Sequence, residues 1–204
     1  MKSNQENIFC DDLVKLFKKD LDFAKIPALL KNLEIRIHEK ILYDVTILYG
    51  GAGKFTPKFG FLEQDIVIGK SLKVSNQLGV FFYRAKTRTE VFEPEVVIEV
   101  KYGNVTSHQL ITYSHIASKI KSVFPRCRYY LVLGYCSVSI FEKVMRHGTF
   151  FDRIFSLSAR LKGQTKILGY FKGKIIKDGV NKRNVYRKLI QNIKNDLCSI
   201  KITR

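Results

Sequence analysis

Glu95-Val96-Val97-Ile98-Glu99-Val100-Lys101 is the stretch on which the reading of this chain turns. β-Branched residues run through it almost unbroken and Tyr102-Gly103 closes it, which predicts a buried strand. Two opposite charges nevertheless stand at its end. Side chains alternate across a strand, so Glu99 and Lys101 share one face while Ile98 and Val100 pack on the other. On an exposed hairpin such a triplet is an ordinary solvated face. A carboxylate and an ammonium held side by side where an apolar strand runs out can instead bind a metal ion and polarise a water.

Working outward, Phe61-Leu62-Glu63-Gln64-Asp65-Ile66-Val67-Ile68-Gly69 reads as a second apolar strand carrying Asp65 near its start. Leu78 to Tyr83 reads as another strand. The basic Arg84, Lys86 and Arg88 follow it at alternate positions, so the three strands form a meander with a projecting loop. After Gly103 the period changes. Thr106 or Ser107 is a candidate cap, and Leu110, Ile111, Tyr113, Ile116, Ala117 and Ile120 follow helical spacing until Pro125. Gln109 and Tyr113, four apart, lie on one face of that helix. Arg128 to Tyr135 then returns to a buried strand, and strand, helix, strand implies a right-handed crossover with parallel pairing inside a mixed sheet.

Before these elements, Asp11 or Asp12 is expected to cap a short helix through about Phe23, with Leu13, Leu16 and Phe17 on one side. Pro27 is expected to start a longer amphipathic helix, because Leu30, Leu33, Ile37, Ile41, Val45 and Leu48 step by three and four until Gly50-Gly51. Glu34 leads that stripe, and Glu39 is a second acid on a different side. Gly50-Gly51-Ala52-Gly53-Lys54 is not a phosphate loop, since Phe55, Thr56 and Pro57 follow the lysine where Ser or Thr is required. It reads as a connection in which Lys54 and Lys58 are candidate phosphate contacts. Beyond Ser137, Ile140 to Arg146 is expected to be helical, Phe150 to Leu157 is apolar, Ile167 to Ile176 alternates as a strand or hairpin, and Asn181 to Leu197 reads as a helix.

The chain has 204 residues, 46% of them hydrophobic, enough for one domain with a substantial core. Its 36 Lys and Arg against 18 Asp and Glu give a net charge of +18, which points to a polyanionic partner, nucleic acid first. No long apolar run and no basic-apolar-small start is present, so no membrane association is expected and a soluble, cytoplasmic protein is. Cys10, Cys127, Cys136 and Cys198 form no C-x-x-C pair, and His38, His108, His115 and His147 show no metal-ligand spacing; reduced thiols are expected rather than a zinc site or disulfides. Between Arg160 and Arg204 the only acids are Asp178 and Asp196, and this segment is the main electrostatic footprint, with Lys182, Arg183, Arg187 and Lys188 as candidate DNA contacts. No repeat or low-complexity tract divides the chain. A single domain over residues 1–204 is expected, with a core at about 27–135 and a basic C-terminal elaboration at about 136–204.

The order helix, Asp strand, strand, E-x-K strand, helix, strand resembles the PD-(D/E)xK nuclease superfamily over roughly residues 27–135. The resemblance implies the restriction-endonuclease-like α/β fold, an αβββαβ core with a central mixed β-sheet flanked by helices. Carried over by position, Asp65 would be the motif aspartate, with Gln64 where the family often has proline, and Glu99 and Lys101 the E-x-K pair. Gln109 and Tyr113 resemble the Q-x-x-x-Y feature of the RecB-like and type I restriction-subunit branches. Glu34 resembles the first-helix glutamate of some branches and of junction resolvases. The implied cofactor is Mg²⁺, with Mn²⁺ able to substitute, held by Asp65, Glu99 and the Val100 carbonyl. The implied activity is metal-dependent hydrolysis of DNA by a homodimeric type II restriction endonuclease. A junction resolvase, a RecB-like repair nuclease and a non-catalytic DNA-binding module of the same fold are the alternatives.

Overall fold

Strand β3 (Glu90–Lys101) lies at the centre of a five-stranded sheet, and its sequence explains why. Val96, Val97, Ile98 and Val100 are all fully buried, so both faces of the strand must be covered. The computed structural model describes residues 4–21, 32–51, 55–73, 90–102, 105–134, 138–156, 169–171, 174–176 and 182–199. Helix α1 (Asn4–Asp20) comes first, followed by strands β1 (Glu34–Tyr49) and β2 (Phe55–Lys73) and then β3. Helix α2 (Ser107–Val123), strand β4 (Arg128–Leu133), helix α3 (Val138–His147) and strand β5 (Arg153–Ser156) follow. A small antiparallel pair, β6 (Gly169–Phe171) and β7 (Lys174–Ile176), precedes helix α4 (Lys182–Ser199).

The strand order is β1-β2-β3-β4-β5, antiparallel from β1 to β3 and parallel from β3 to β5. The chain is thus a mixed α/β protein with helices on both faces of a mixed sheet. On one face Val96, Ile98, Val100, Tyr130 and Val132 meet Cys10, Leu13, Phe17 and Leu21 of the α1 segment and Leu189, Ile193 and Leu197 of α4. On the other face Val67, Val97 and Tyr129 meet Ala117 and Ile120 of α2, and Leu131 and Leu133 meet Leu110 of α2 and Ile140 and Val144 of α3. The parallel pairing of β3 with β4 across α2 is the expected crossover. The sheet continues through β5, and α4 packs on the same core, so the C-terminal segment builds the sheet sandwich as well as carrying charge.

Two expectations for the N-terminal third are corrected. The first helix starts at Asn4, so Asp11 and Asp12 lie within it rather than at a cap; Leu13 and Phe17 are buried, but Leu16 is 42% exposed. The segment 34–49, expected as the body of an amphipathic helix, is strand β1, paired with β2 along its whole length. Its Ile35, Ile37, Ile41, Val45, Thr46 and Ile47 are β-branched residues that favour the extended backbone. The helical step from Ile37 to Ile41 has a specific origin. Ile35 and Ile37 pack against the α1 side of the sheet, whereas Ile41 belongs to the α2 side, although all three are odd-numbered. Between them His38 takes a left-handed backbone, φ 53°, and the alternation reverses there.

The meander is therefore β1-β2-β3. The strand expected at Leu78 to Tyr83 lies outside the described residues, as do Phe23, Pro27, Leu30, Lys54, Arg84, Lys86, Arg88 and Cys136 and the side chains of Lys182 and Arg183. Cys10 and Cys127 are buried and Cys198 is exposed. Among the described residues no helix is long and apolar enough to cross a membrane.

Candidate active site

β2 and β3 bring Asp65 and Glu99 together because the two strands pair antiparallel, with Ile66 opposite Ile98. Asp65, Glu99 and Lys101 are 2%, 5% and 7% exposed, an expensive placement for three ionisable groups unless they compensate one another. They do. The Lys101 ammonium lies 2.8 Å from Glu99 Oε1 and 3.9 Å from Asp65 Oδ2. Asp65 Oδ2 also accepts the Val100 backbone N–H at 2.8 Å, which fixes its carboxylate across the strand pair.

A third carboxylate completes the group. Glu6, in the first turn of α1, accepts from Lys101 Nζ at 2.9 Å. Sequence reasoning missed it, although a signal exists: Glu6 shares a helical stripe with Cys10, Leu13 and Phe17, so an acid leads the buried face of α1. The same helix touches Asp65 directly, Cys10 Sγ lying 3.6 Å from its carbonyl oxygen. Behind the cluster, the Tyr129 hydroxyl donates to Gln64 Oε1 at 2.8 Å and approaches Glu99 Oε2 at 3.5 Å. Gln64 and Tyr129 are thus buried polar supports, also unassigned from sequence.

Burial alone would push the Lys101 ammonium toward losing its proton. The negative charges of Glu99 and Asp65 and hydrogen bonds to Glu99 and Glu6 outweigh that and hold its pKa above the ordinary value. Lys101 is therefore a fixed cation at neutral pH. Its Nζ also stands 4.6 Å from the centre of the Tyr113 ring, a cation–π contact. Burial raises the Tyr113 phenol; Lys101 pulls the other way and Glu99 adds to the rise. The Tyr129 phenol is raised well above normal by burial and by the negative charges of Glu99 and Asp65, so it stays a donor.

The other sequence candidates fall elsewhere. Gln109 closes a capping box: its Oε1 accepts the Thr106 N–H at 2.8 Å while Thr106 Oγ1 accepts the Gln109 N–H at 3.2 Å. Its side chain holds the start of α2 rather than the carboxylates. Glu34 sits on strand β1, not on a helix, and pairs with Arg36 at 2.7 Å with nearly half its side chain in solvent. Lys58, Arg187 and Lys188 are exposed.

Among the described residues no group of three His, Cys, Asp or Glu side chains is already spaced as a metal site. Asp65 and Glu99 are nonetheless two buried, oxygen-only donors flanking one cation, and Mg²⁺ characteristically takes one or two carboxylates and completes its shell with water and phosphate oxygen. The donor set fits a hard divalent cation as a pair, not as a cage. No protein-family model matches the chain, and no curated protein matches it.

Proposed function

We propose that the chain is a Mg²⁺-dependent endonuclease that hydrolyses phosphodiester bonds of duplex DNA, in the manner of a type II restriction endonuclease. The observation that carries this reading is the buried pair Asp65 and Glu99 with the Lys101 ammonium between them at the end of β3. The element order α1-β1-β2-β3-α2-β4 supports it as an αβββαβ arrangement, with the first helix at 4–20. The net charge of +18 supports a polyanionic substrate.

Asp65 and Glu99, with the Val100 carbonyl, would hold the Mg²⁺; Mn²⁺ is expected to substitute. When bound, such an ion activates a water and offsets charge on the scissile phosphate. The chain's own residues set the rest. Val100 N–H orients the Asp65 carboxylate, and Tyr129 holds Glu99 and Gln64. Lys101, kept charged by its three acids, serves as an electrostatic and hydrogen-bonding group toward the phosphate or the attacking water, and not as the base. Tyr113 bounds the ammonium on the α2 side. Exposed Lys58, Arg187 and Lys188 are assigned to phosphate contacts.

Purified protein incubated with plasmid, phage DNA and a synthetic four-way junction, with and without Mg²⁺, tests the reading. Discrete metal-dependent bands from duplex are expected. Paired nicks in the junction alone would make it a resolvase, and tight binding without cleavage of any substrate would leave a DNA-binding module.

A further inference from the structure

Beside the carboxylate cluster stands an aromatic pair that the hydrolysis reading does not use. Tyr102 follows Lys101 directly at the end of β3, and its side chain is 42% exposed although its neighbours fix it. The ring of Phe9, on α1, lies against it with centroids 5.5 Å apart and planes tilted by 57°. Glu6 and Phe9 are three apart and share one face of α1, so the Glu6–Lys101 and Phe9–Tyr102 contacts lie side by side. Gly134, just past β4, supplies the floor. Its N–H donates to the Lys101 carbonyl oxygen at 2.7 Å, and a Cβ at this position would collide with both rings. Phe9 is itself partly buried against the core on the α1 side.

Packing accounts for the inner side of the Tyr102 ring and leaves the outer side to be explained. Size selects the occupant. A stable protein partner covers about 800 Å² on each side. Here Phe9 is partly buried, Gly134 has no side chain and Lys101 is buried and charged, so these neighbours add little apolar surface to the one exposed ring. A single flat ring suits a single flat ligand, and every nucleobase offers a π face to an aromatic side chain. Position agrees with size. Consecutive Cα atoms are about 3.8 Å apart, so a strand whose phosphate sits at Asp65, Glu99 and Lys101 brings an adjoining nucleotide within reach of Tyr102. Because Phe9 and Gly134 already fix the ring, little side-chain freedom is left to lose on binding. A base inside an intact duplex hides both faces in the stack. Only an unpaired base, or one turned out of the helix, can lie on this ring.

We propose that the Tyr102 ring, braced by Phe9 and Gly134, is a stacking platform for an unpaired DNA base beside the phosphate held at the carboxylate cluster. The site then takes duplex DNA that is locally unpaired at the cut in preference to fully paired duplex. The inference rests on the hydrolysis reading for the course of the strand past Lys101, and its test reads stacking separately from cleavage.

The chain contains no tryptophan, so Tyr102→Trp puts a single indole reporter on the platform. Its emission is measured in EDTA while a short duplex with a central thymine bubble is added, and quenching is expected. The same duplex with abasic residues in place of the bubble thymines binds through its phosphates and should leave the emission unchanged. Anisotropy of a labelled strand gives affinity on the same samples. Tyr102→Ala should bind the thymine bubble at least about 5-fold more weakly, the low end of what one base on an aromatic ring contributes. Tyr102→Phe, which keeps the ring, should bind it like the wild type, and the abasic duplex should not distinguish the three proteins. The reporter retains a ring against Phe9 and decides the matter even where Tyr102→Ala folds poorly. An indole that saturating thymine bubble leaves unquenched, or that the abasic duplex quenches equally, overturns the proposal, as does equal bubble binding by wild type and Tyr102→Ala. In Mg²⁺ the wild type should cut the thymine-bubble duplex faster than the fully paired one, and the reverse order also overturns the proposal. A wild type that cuts no DNA while thymines quench the reporter would end the hydrolysis reading and leave the platform standing.

Discussion

Replacing Lys101 with Met keeps the aliphatic stem and removes an ammonium that three buried carboxylates face. Glu99, Glu6 and Asp65 stand 2.8, 2.9 and 3.9 Å from its Nζ. Breaking a buried ion pair by removing one partner typically destabilises by about 3–5 kcal/mol. Three acids lose this ammonium here, which places the loss toward the upper end, although the 12% exposure of the Glu6 side chain lets water reach one of them. Against a usual total of roughly 5–15 kcal/mol, the variant should be markedly destabilised at pH 7. The pH dependence follows from the sign of each shift. In the wild type the folded pKa of Lys101 is raised, so its contribution is fully present below the unfolded value of about 10.4 and is lost only as pH rises through the folded pKa. Between pH 5 and 9 Lys101 should add no slope. In Lys101→Met the three carboxylates face one another without this ammonium, and close like charges favour their protonated forms in the folded state. Stability should then recover as pH falls from 8 toward 5. Urea unfolding followed by circular dichroism at pH 5, 6.5 and 8 measures both effects. A loss below about 1 kcal/mol, the same at every pH, would refute the claim that Lys101 compensates these acids.

Three further outcomes follow from the geometry. Thr106→Ala and Gln109→Ala each open the capping box of α2 and should lower stability by about 1 kcal/mol in thermal unfolding, with the cleavage rate of Gln109→Ala unchanged once the protein is folded. In Gly69→Ala the new Cβ would collide with the Glu93 carbonyl oxygen, at the register shift between β2 and β3, so a loss of about 1–3 kcal/mol or more is expected in urea unfolding. Burial raises the Asp196 carboxyl, but hydrogen bonds from Arg153 and Tyr130 outweigh that and lower its pKa, so its contribution is present above the unfolded value of about 3.9 and lost as pH falls through the folded one. Asp196→Asn should therefore be less stable than the wild type at pH 7, with the difference narrowing below pH 4 in acid-unfolding curves.

What was legible in the sequence is what short-range chemistry specifies. The run Val96 to Lys101 could only be a strand with its charges on one side, and Thr106 with Gln109 marked the start of a helix. Asp65 beside Glu99 and Lys101 followed from the resemblance; the strand order read from the sequence puts a further strand, Leu78 to Tyr83, between them, whereas β2 pairs directly with β3. What was illegible depends on contacts distant in the chain. The reversal at His38 made β1 imitate a helical stripe, because strand periodicity is readable only while the alternation holds. Glu6 reaches Lys101 across 95 positions, and nothing near residue 6 announces its partner. Gln109 shows the converse: its motif spacing suggested chemistry, while the nearest backbone donor already uses its oxygen.

The most direct measurement is the single-turnover cleavage rate of supercoiled plasmid in Mg²⁺ by the wild type, Asp65→Asn and Glu99→Gln, with DNA binding measured on the same samples. Both substitutions keep shape and an acceptor oxygen, and both remove a charge from the pair that flanks Lys101. The account predicts metal-dependent cleavage by the wild type and a loss of at least about 10²-fold in each variant, the scale seen when a group acting on transition-state charge is removed. Binding should change little, because it rests on the basic surface. Equal cleavage by all three proteins, or a wild type that binds DNA and never cuts it in Mg²⁺ or Mn²⁺, would contradict the assignment of this cluster as a phosphodiester-hydrolysing centre.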